Sequence, residues 1–206
     1  MSNDNQNGSR AGNGAGNDSS KNRGLLVFGR AFLKTPAMLG SIIPSSRFLV
    51  ERTLRNVDWS RARVLVEYGP GVGTFTGKIL KRMHPEAKLI VVETQSDFIQ
   101  HLENHFQDPR LHVVHGSAED VSRTLQELGA ASADYVLSGI PFSLMSDEMR
   151  DSILRTTREV LEPEGAMLVY QFSPTIRKPL EEVFSRVDRE FEPLNVPPAT
   201  VYRCVP

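Results

Sequence analysis

A glycine-rich loop flanked by two acidic residues is the part of the sequence best suited to binding a ligand. Glu67 ends a short apolar run, and the loop after it carries alternating glycines at Gly69, Gly71 and Gly73. Such a loop can turn tightly and bring its backbone close to a ligand, because no side chain intervenes. Glu93 ends the next apolar run, where a carboxylate can accept hydrogen bonds from both hydroxyls of a ribose. The sequence therefore predicts a site for a ligand that contains a ribose.

The spacing of the glycines separates this loop from a dinucleotide site. Dinucleotide-binding folds prefer the pattern G-x-G-x-x-G, whose third glycine would fall on Thr74. The chain instead has G-x-G-x-G after an acid. Because dinucleotide enzymes also place an acid at the position of Glu93, that residue alone does not discriminate between the two kinds of site.

Apolar runs that alternate with helical patterns predict the fold that positions these residues. Buried parallel strands appear as short continuous apolar runs, found here at 62–68, 88–93, 111–115, 133–138 and 166–172. Helical patterns occupy 74–83, 96–106, 119–128, 147–161 and 175–184. Two extended stretches, 187–194 and 199–205, are expected to add an antiparallel hairpin. The expected architecture is α/β and Rossmann-like, a doubly wound, mostly parallel seven-stranded sheet whose ligand lies beyond the carboxyl ends of the strands.

The segment before the first strand has a different character. Residues 1–23 are mostly Asn, Gly, Ser and Asp, a composition that predicts a disordered tail. Residues 24–57 are expected to form two helices, and 58–206 the catalytic domain. Apolar residues recur at helical spacing within 24–35 beside Arg30 and Lys34, which predicts a short, basic, amphipathic helix. Ser45 is expected to cap a second helix that runs to about Arg55.

Composition narrows the classes of function. The formal net charge is -1, so nucleic acid is an unlikely partner. No apolar run approaches the ~20 residues of a membrane-spanning helix. The chain has one cysteine, Cys204, and no Cys or His cluster with metal-ligand spacing, so we expect no metal and a cytoplasmic location.

The acid and the alternating glycines resemble the first motif of class I S-adenosylmethionine-dependent methyltransferases. The resemblance implies that S-adenosylmethionine is the cofactor. Gly69, Gly71 and Gly73 would then hold its methionine part, Glu67 would face its ammonium group, and Glu93 would bind the ribose. Family members often carry Gly-Asp-Ala after the third strand, and this chain has a different segment there, so the predicted adenine contacts are Ser117, Ala118 and Glu119.

The loop after the fourth strand, at 138–142, faces the methyl acceptor in this fold. Ser138 is also assigned to the cofactor site. Adenine methyltransferases place Asn or Asp, then Pro and an aromatic residue here, to bind and stack the base. Ser138 and Phe142 match that motif loosely, so an RNA or DNA adenine is an alternative substrate rather than the preferred one.

Three segments, at 32–47, 138–141 and 195–203, resemble the bacterial phospholipid N-methyltransferase family. The resemblance spans about 28–204 and implies N-methylation of phosphatidylethanolamine towards phosphatidylcholine. Related enzymes act on ornithine lipids, which remain an alternative, as does a cofactor-binding protein without catalysis. The headgroup, the number of methyl transfers, the general base and the oligomeric state stay open.

The predicted lipid contacts fall into two groups. Phosphate would bind at the helix start and the last strand, and aromatic faces beside Pro141 would recognise the methylated headgroup. The residues are Ser45, Ser46, Arg47 and Arg203 for the first group, and Phe142 and Tyr202 for the second. The alternatives are core packing for the aromatic residues and a solvated surface position for the arginines. The amphipathic helix would anchor the enzyme peripherally on an anionic inner-membrane face, or serve as a lid.

Overall fold

Residues 45–206 are the part of the chain that the computed structural model describes. The tail predicted at 1–23 and the amphipathic helix predicted at 24–35 lie outside the described residues. Within 45–206, no helix has the length and apolar character needed to cross a membrane.

Seven strands alternate with helices along the described residues. The strands are β1 Val64–Tyr68, β2 Lys88–Glu93, β3 Leu111–His115, β4 Ala133–Ser138, β5 Leu161–Gln171, β6 Arg186–Glu192 and β7 Ala199–Val205. The α-helices are α1 Arg47–Leu54, α2 Thr76–Leu80, α3 Ser96–His105, α4 Val121–Glu127, α5 Asp147–Val160 and α6 Arg177–Val183. Short 3-10 turns occur at Ala118–Asp120, Phe142–Leu144 and Pro174–Ile176.

The strands form a single sheet in the order β3-β2-β1-β4-β5-β7-β6. Strands β1 to β5 run parallel to one another, and β7 lies antiparallel between β5 and β6. After β3 the chain crosses to the other half of the sheet, so that the order of the strands reverses at the boundary between β1 and β4. In such sheets the ligand binds beyond the carboxyl ends of the strands at this crossing point. The predicted fold class is confirmed.

Helices cover both faces of the sheet. One face packs on α4, α5 and α6, and the other on α1, α2 and α3. Side chains alternate between the faces of a strand, so Val66 and Tyr68 lie against α4 to α6 while Leu65 lies against α1 to α3. Since both faces are buried, the central strands are apolar at most positions. This is why these strands were recognisable in the sequence.

Several element bounds differ from the predicted ones where packing decides them. Strand β5 begins at Leu161 rather than at 166, because Leu161 pairs with Ala133 before a register shift. Helix α2 is only five residues long and starts at Thr76, since the glycine loop extends further than expected. The predicted bounds of β2, β3, β4 and β7 match the structure.

Ser46, and not Ser45, caps helix α1. The Ser46 side chain accepts a hydrogen bond from the Leu49 backbone N–H at 3.2 Å. Its own backbone N–H donates to Asn195 Oδ1 at 2.8 Å. The prediction for Ser45 was wrong because the helix begins at Arg47. The residue directly before it, Ser46, has the extended backbone of an N-cap. The start of α1 is therefore tied to the turn between β6 and β7.

Replacing Ser46 with Ala should destabilise the protein by about 1 kcal/mol, the usual contribution of an N-cap side chain. For a domain of this size that corresponds to a drop in Tm of roughly 2–4 °C, measurable by thermal denaturation. Ser143→Ala is the matched control, because this exposed serine caps no helix. An equal drop for Ser143→Ala and Ser46→Ala, or no drop for Ser46→Ala, would contradict the assignment.

Candidate cofactor and acceptor site

A cavity of about 280 Å³ opens at the carboxyl ends of β1, β2, β3 and β4. The structure brings six of the predicted site residues into its wall, contributed by the loops that follow these four strands. They are Gly69, Gly71, Glu93, Ser117, Ala118 and Pro141. The order of the strands thus brings together residues that are up to 72 positions apart in the sequence, since Gly69 and Pro141 both line this cavity.

The glycine loop needs glycine for two separate reasons. Gly69 and Gly71 have φ angles of +63° and +55°, in the left-handed region that disfavours other residues. A Cβ on Gly69 would also lie 2.7 Å from Ile140 Cγ2. A Cβ on Gly71 would meet no atom within 4 Å, so the backbone at Gly71 borders open space. The loop can therefore present its backbone to a ligand at that point.

Gly73 has a different surrounding from the other two glycines. It does not line the cavity, and its φ angle is +80°. A Cβ at this position would collide with the Phe106 ring and lie 2.9 Å from Leu102 Cδ2. The structure thus gives Gly73 a packing role between the loop and α3, and its cofactor contact stays a prediction.

Glu93 is buried and held at the cavity wall. Its Oε1 accepts hydrogen bonds from the backbone N–H groups of Thr94 at 2.8 Å and Gln95 at 3.0 Å. Burial raises the pKa of this carboxyl, and the hydrogen bonds from Gln95, Thr94 and Gly71 oppose the rise. A carboxylate fixed in this way is a suitable acceptor for ribose hydroxyls.

Glu67 lies behind the glycine loop on the side of the sheet that faces α2. It is 4% exposed and accepts a hydrogen bond from Thr76 Oγ1 at 2.7 Å. Burial raises the pKa of Glu67 to about 7; the Thr76 hydrogen bond opposes this rise, and the nearby charge of Glu93 adds to it. A buried acid with a raised pKa is stabilised as an anion when a cation approaches, which suits the ammonium group assigned to it.

The side of the cavity near β3 suits a nucleobase. Val92, Phe98 and Ala118 provide apolar surface there. The Ser117 hydroxyl accepts a hydrogen bond from the Glu119 backbone N–H at 3.2 Å and so caps the short turn that follows. Ser117 and Ala118 line the cavity, while Glu119 does not, and its adenine contact stays a prediction. Phe98 was missed, although an apolar residue in the first turn after β2 was a usable signal.

The opposite side of the cavity, after β4, is apolar throughout. Its wall consists of Ile140, Pro141, Leu144, Met145, Met149 and Ile153. Sequence reasoning found Pro141 and, within the loop 138–142, Ile140. The others belong to the 3-10 turn, the residue after it and the first two turns of α5. Helical periodicity alone did not indicate that these turns border the cavity.

Tyr170 is a further residue that the sequence did not reveal. Its ring stacks on Phe75 with 5.0 Å between centroids, and its hydroxyl lies so close to Gly139 that a Cβ there would clash with it. Burial raises the pKa of Tyr170 to about 12; a hydrogen bond with Ser45 opposes this rise, and the charge of Glu67 adds to it. Tyr170 therefore joins Ser45 to the loop after β4.

The Ser138 hydroxyl is fully buried at the end of β4. Within residues 45–206, it has no hydrogen-bond partner. Leaving a buried hydroxyl unpaired costs about 1–3 kcal/mol. Since Ser138 directly precedes Gly139 in the cavity wall, a bound ligand could supply the missing partner, as expected for a cofactor or acceptor contact.

Of the seven predicted substrate residues only Pro141 lines this cavity; the other six, Ser45, Ser46, Arg47, Phe142, Tyr202 and Arg203, do not. Phe142 and Tyr202 are 0% and 1% exposed within the core on the α4 to α6 side, which agrees with the core-packing alternative. Arg203 lines a different cavity, together with Asp134 and Glu162. Strand β7 runs antiparallel to β5, so its last residues point towards the amino ends of the parallel strands. The structure thus does not support a shared phosphate site for Arg203 and Ser46.

Arg47 is exposed in the first turn of α1. Its guanidinium lies 4.7 Å from the centre of the Phe48 ring, a cation–π contact. Within the described residues, no group of three or more acidic, His or Cys side chains is arranged to hold a metal ion.

Comparison with known sequences gives two informative relatives. The family described as "Methyltransferase domain" matches residues 65–165. The ornithine lipid N-methyltransferase of Singulisphaera acidiphila is 35% identical over 182 residues, which are 87% of this chain and 95% of that protein. A probable ribosomal RNA small subunit methyltransferase A of Thermococcus gammatolerans is 24% identical over 143 residues, or 68% of this chain and 45% of that protein.

Solved structures share the fold at low sequence identity. An N-methyltransferase from Bradyrhizobium japonicum WM9, in complex with S-adenosyl-L-homocysteine, has a TM-score of 0.64 at 15% identity, covering 77% of this chain and 86% of that one. A methyltransferase from Aquifex aeolicus that depends on S-adenosylmethionine has a TM-score of 0.63 at 14% identity, covering 89% and 98%. These similarities establish the architecture alone.

The residues of the cavity, with one acid behind it, fit the groups of S-adenosylmethionine. In the cavity wall, Glu93 suits the ribose and the backbone at Gly71 can approach a ligand closely. Glu67 does not line the cavity, and its contact with the ammonium group stays a prediction that its burial and raised pKa suit. The family match and the 35% identical relative agree with this assignment. The chain is therefore an S-adenosylmethionine-dependent methyltransferase of class I, and it belongs to the family that contains the ornithine lipid N-methyltransferase of S. acidiphila.

Proposed function

We propose that this enzyme N-methylates the amine of a lipid headgroup, with ornithine lipid as the preferred substrate. The observation that carries the proposal is the 35% identity to an ornithine lipid N-methyltransferase across 95% of that protein. The sequence motifs favoured phosphatidylethanolamine, with ornithine lipid as the alternative. The relative supports the alternative better, and the proposal follows it.

The apolar acceptor side of the cavity supports a lipid amine as the nucleophile. Both headgroups carry an amine that is largely protonated at neutral pH, and only the neutral amine can attack. The wall from Ile140 to Ile153 carries no charge among its lining residues. Burial against such a wall favours the neutral amine, and the proton leaves to water at the cavity mouth. Ser138 Oγ, which is buried next to the cavity wall and has no hydrogen-bond partner among residues 45–206, is the hydroxyl we assign to orienting the amine.

The residues on the cofactor side would hold S-adenosylmethionine in position rather than take part in the reaction themselves. S-adenosylmethionine, when bound, provides an electrophilic methyl group on its sulfonium. Glu93 would bind the ribose hydroxyls, Glu67 would hold the ammonium, and the backbone at Gly71 would lie along the methionine part. Alignment of a nucleophile with such a group provides most of the rate in reactions of this kind.

A nucleobase acceptor is less well supported. The relative that methylates ribosomal RNA by its name matches at 24% identity over less than half of its length. The aromatic side chain that would stack on a base, Phe142, is fully buried in the core. Ser138 also lacks the amide or carboxylate that usually binds the base amine.

The test uses the purified full chain, methyl-labelled S-adenosylmethionine, and separate vesicles containing ornithine lipid or phosphatidylethanolamine, with ribosomal RNA as a third acceptor. We expect label in ornithine lipid, and about tenfold less in phosphatidylethanolamine, a difference of roughly 1.4 kcal/mol in transition-state stabilisation. Glu93→Ala, which removes the ribose contact, is the inactive control. Label in RNA alone, or in no lipid, would reject the proposal.

The basic helix predicted at 24–35, and with it the peripheral location on the inner-membrane face, lies outside the described residues. Both remain proposals that support access to a lipid substrate. The number of methyl transfers follows from the same assay, by separating mono-, di- and trimethylated products.

A further inference from the structure

The exposed apolar side chains of residues 45–206 are concentrated at one edge of the sheet. Phe48 is in the first turn of α1, Leu144 and Met149 lie between β4 and the second half of α5, and the rest surround the turn between β6 and β7. The six large side chains in question are Phe48, Leu144, Met149, Phe191, Leu194 and Val196. We call this set the apolar edge. It lies at the carboxyl ends of the parallel strands, the same edge as the cavity.

Hydrogen bonds connect the loops of the apolar edge to one another and to the cavity. The Ser46 backbone N–H donates to Asn195 Oδ1 at 2.8 Å, which joins the start of α1 to the β6–β7 turn. Gln171 Nε2 donates to the carbonyl of Ile140 at 2.8 Å, and Gln171 pairs with Thr200 at the start of β7. The apolar residues therefore sit on one connected surface that includes the acceptor wall of the cavity.

Three segments that carry or adjoin these side chains also lack charge. Segments 138–146, 171–176 and 193–198 contain no Asp, Glu, Lys or Arg, in a chain in which 24% of residues are charged. The opposite edge is different, since its loops carry ion pairs such as Arg61 with Glu164 and Arg110 with Asp108. Val196 is 78% exposed, Leu194 59% and Leu144 54%. Contiguous apolar exposure of this kind marks a surface for a protein or a membrane.

We propose that the apolar edge docks the catalytic domain onto a lipid bilayer, with Leu194 and Val196 inserted at the boundary between headgroups and acyl chains. The proposal rests on the lipid substrate proposed above. It fits a bilayer better than a protein partner because the surface is continuous with the acceptor wall of the cavity, through Leu144 and Met149. An amine at headgroup depth could then reach the cavity without the lipid leaving the membrane.

The exposed cation Arg47 at the border of the apolar edge suits an anionic bilayer. It lies beside Phe48, whereas Lys178, exposed in the first turn of α6, is paired with Glu182 at 3.5 Å. The acid Asp147, at the start of α5, is paired with Arg150 at 2.8 Å. Basic residues near an anionic surface strengthen attachment that apolar insertion provides.

A double variant tests the surface directly. Leu194→Asp with Val196→Asp is compared with the wild type by sedimentation of the full chain with phosphatidylcholine vesicles that contain phosphatidylglycerol. We expect at least about tenfold weaker partitioning, since buried apolar area determines interfacial binding. The matched control is Gln126→Glu with Ala131→Asp, an equal change of charge at exposed positions on the opposite edge. Equal binding by the two double variants would overturn the proposal.

A fluorescence measurement tests contact independently of any anchor in residues 1–44. The chain contains one tryptophan, Trp59, in the loop that enters β1 at the opposite edge. In a Leu194→Trp variant, vesicles of brominated phospholipid should quench an additional emission that the wild type lacks. If the variant is quenched no more than the wild type, Leu194 does not enter the bilayer and the proposal fails.

Activity assays distinguish a failure of the docking proposal from a failure of the proposed lipid substrate. The Leu194→Asp, Val196→Asp variant should lose activity on ornithine lipid in vesicles and retain it on a short-chain, monomeric form. A wild type that methylates neither form would reject the proposed substrate, while sedimentation and quenching would still decide the docking surface. Loss of activity on both forms by the variant would show that these residues act on catalysis rather than docking.

Discussion

Replacing Glu67 with Gln should weaken S-adenosylmethionine binding by about 30-fold, because the loss of one buried charged partner costs roughly 2 kcal/mol. The substitution keeps the shape of the side chain and an oxygen that can accept the Thr76 hydroxyl hydrogen bond, observed at 2.7 Å. Calorimetric titration with the cofactor measures the effect. Binding by the wild type near pH 6–7 should also release protons, since a bound cation lowers the pKa of Glu67 from about 7, and the variant should release none at this site.

The same substitution should stabilise the protein without cofactor at high pH. Burial raises the pKa of Glu67 from 4.5 to about 7, so the folded state binds this proton more tightly than the unfolded state. Wild-type stability therefore falls as pH rises from about 4.5 to 7 through this group, by up to roughly 3 kcal/mol. Glu67→Gln cannot ionise and avoids that loss. Its advantage should be absent near pH 4.5, grow up to pH 7 and then remain constant, as measured by denaturant unfolding at each pH.

Asp108→Asn provides a control of opposite sign. The Arg110 hydrogen bond lowers the pKa of Asp108, so its charged form contributes stability above its unfolded pKa that is lost as pH falls. This variant should be less stable than the wild type at neutral pH. If Glu67→Gln were no more stable than the wild type at pH 8, a raised pKa for Glu67 would be incorrect.

Alanine at Gly73 should lower stability more than alanine at Gly71, and alanine at Gly71 should weaken cofactor binding more. At Gly73 the φ angle of +80° and contacts with Phe106 and Leu102 leave no room for a Cβ. We expect Gly73→Ala to destabilise the protein by about 3 kcal/mol, from backbone strain and overpacking together. At Gly71 the added Cβ meets no protein atom within 4 Å, so only the strain of about 1 kcal/mol remains.

Cofactor affinity should follow the reverse order. Gly71 lines the cavity, so its added methyl group takes space beside the ligand and should weaken cofactor binding at least about tenfold, or 1.4 kcal/mol. Folded Gly73→Ala, assayed at low temperature, should bind more tightly than Gly71→Ala. Unfolding curves and titrations of both variants give the comparison. Equal losses of affinity would show that Gly73 also contacts the cofactor, as the sequence motif predicted.

Local sequence was sufficient for the strands and the glycine loop. Strands β1, β2 and β4 are buried on both faces, and such burial demands apolar residues at consecutive positions, a pattern visible in any short window. A loop with three left-handed backbone positions requires glycine at each. Glu67 and Glu93 were recognisable because Glu93 is the last residue of β2 and Glu67 the last but one of β1.

Tertiary structure alone decided which side chains meet at the site. Met149 borders the cavity, and Tyr170 packs against Gly139 of its wall, because distant elements meet there, and no spacing near either residue signals it. The Phe142 side chain is buried in the core. Arg203 lies in another cavity because β7 runs antiparallel to β5. Backbone conformation depends on neighbours a few residues away, so the sequence determined the strands and the loop. Which face a side chain takes, and what it touches, depends on strand direction and long-range packing, which only the folded chain specifies.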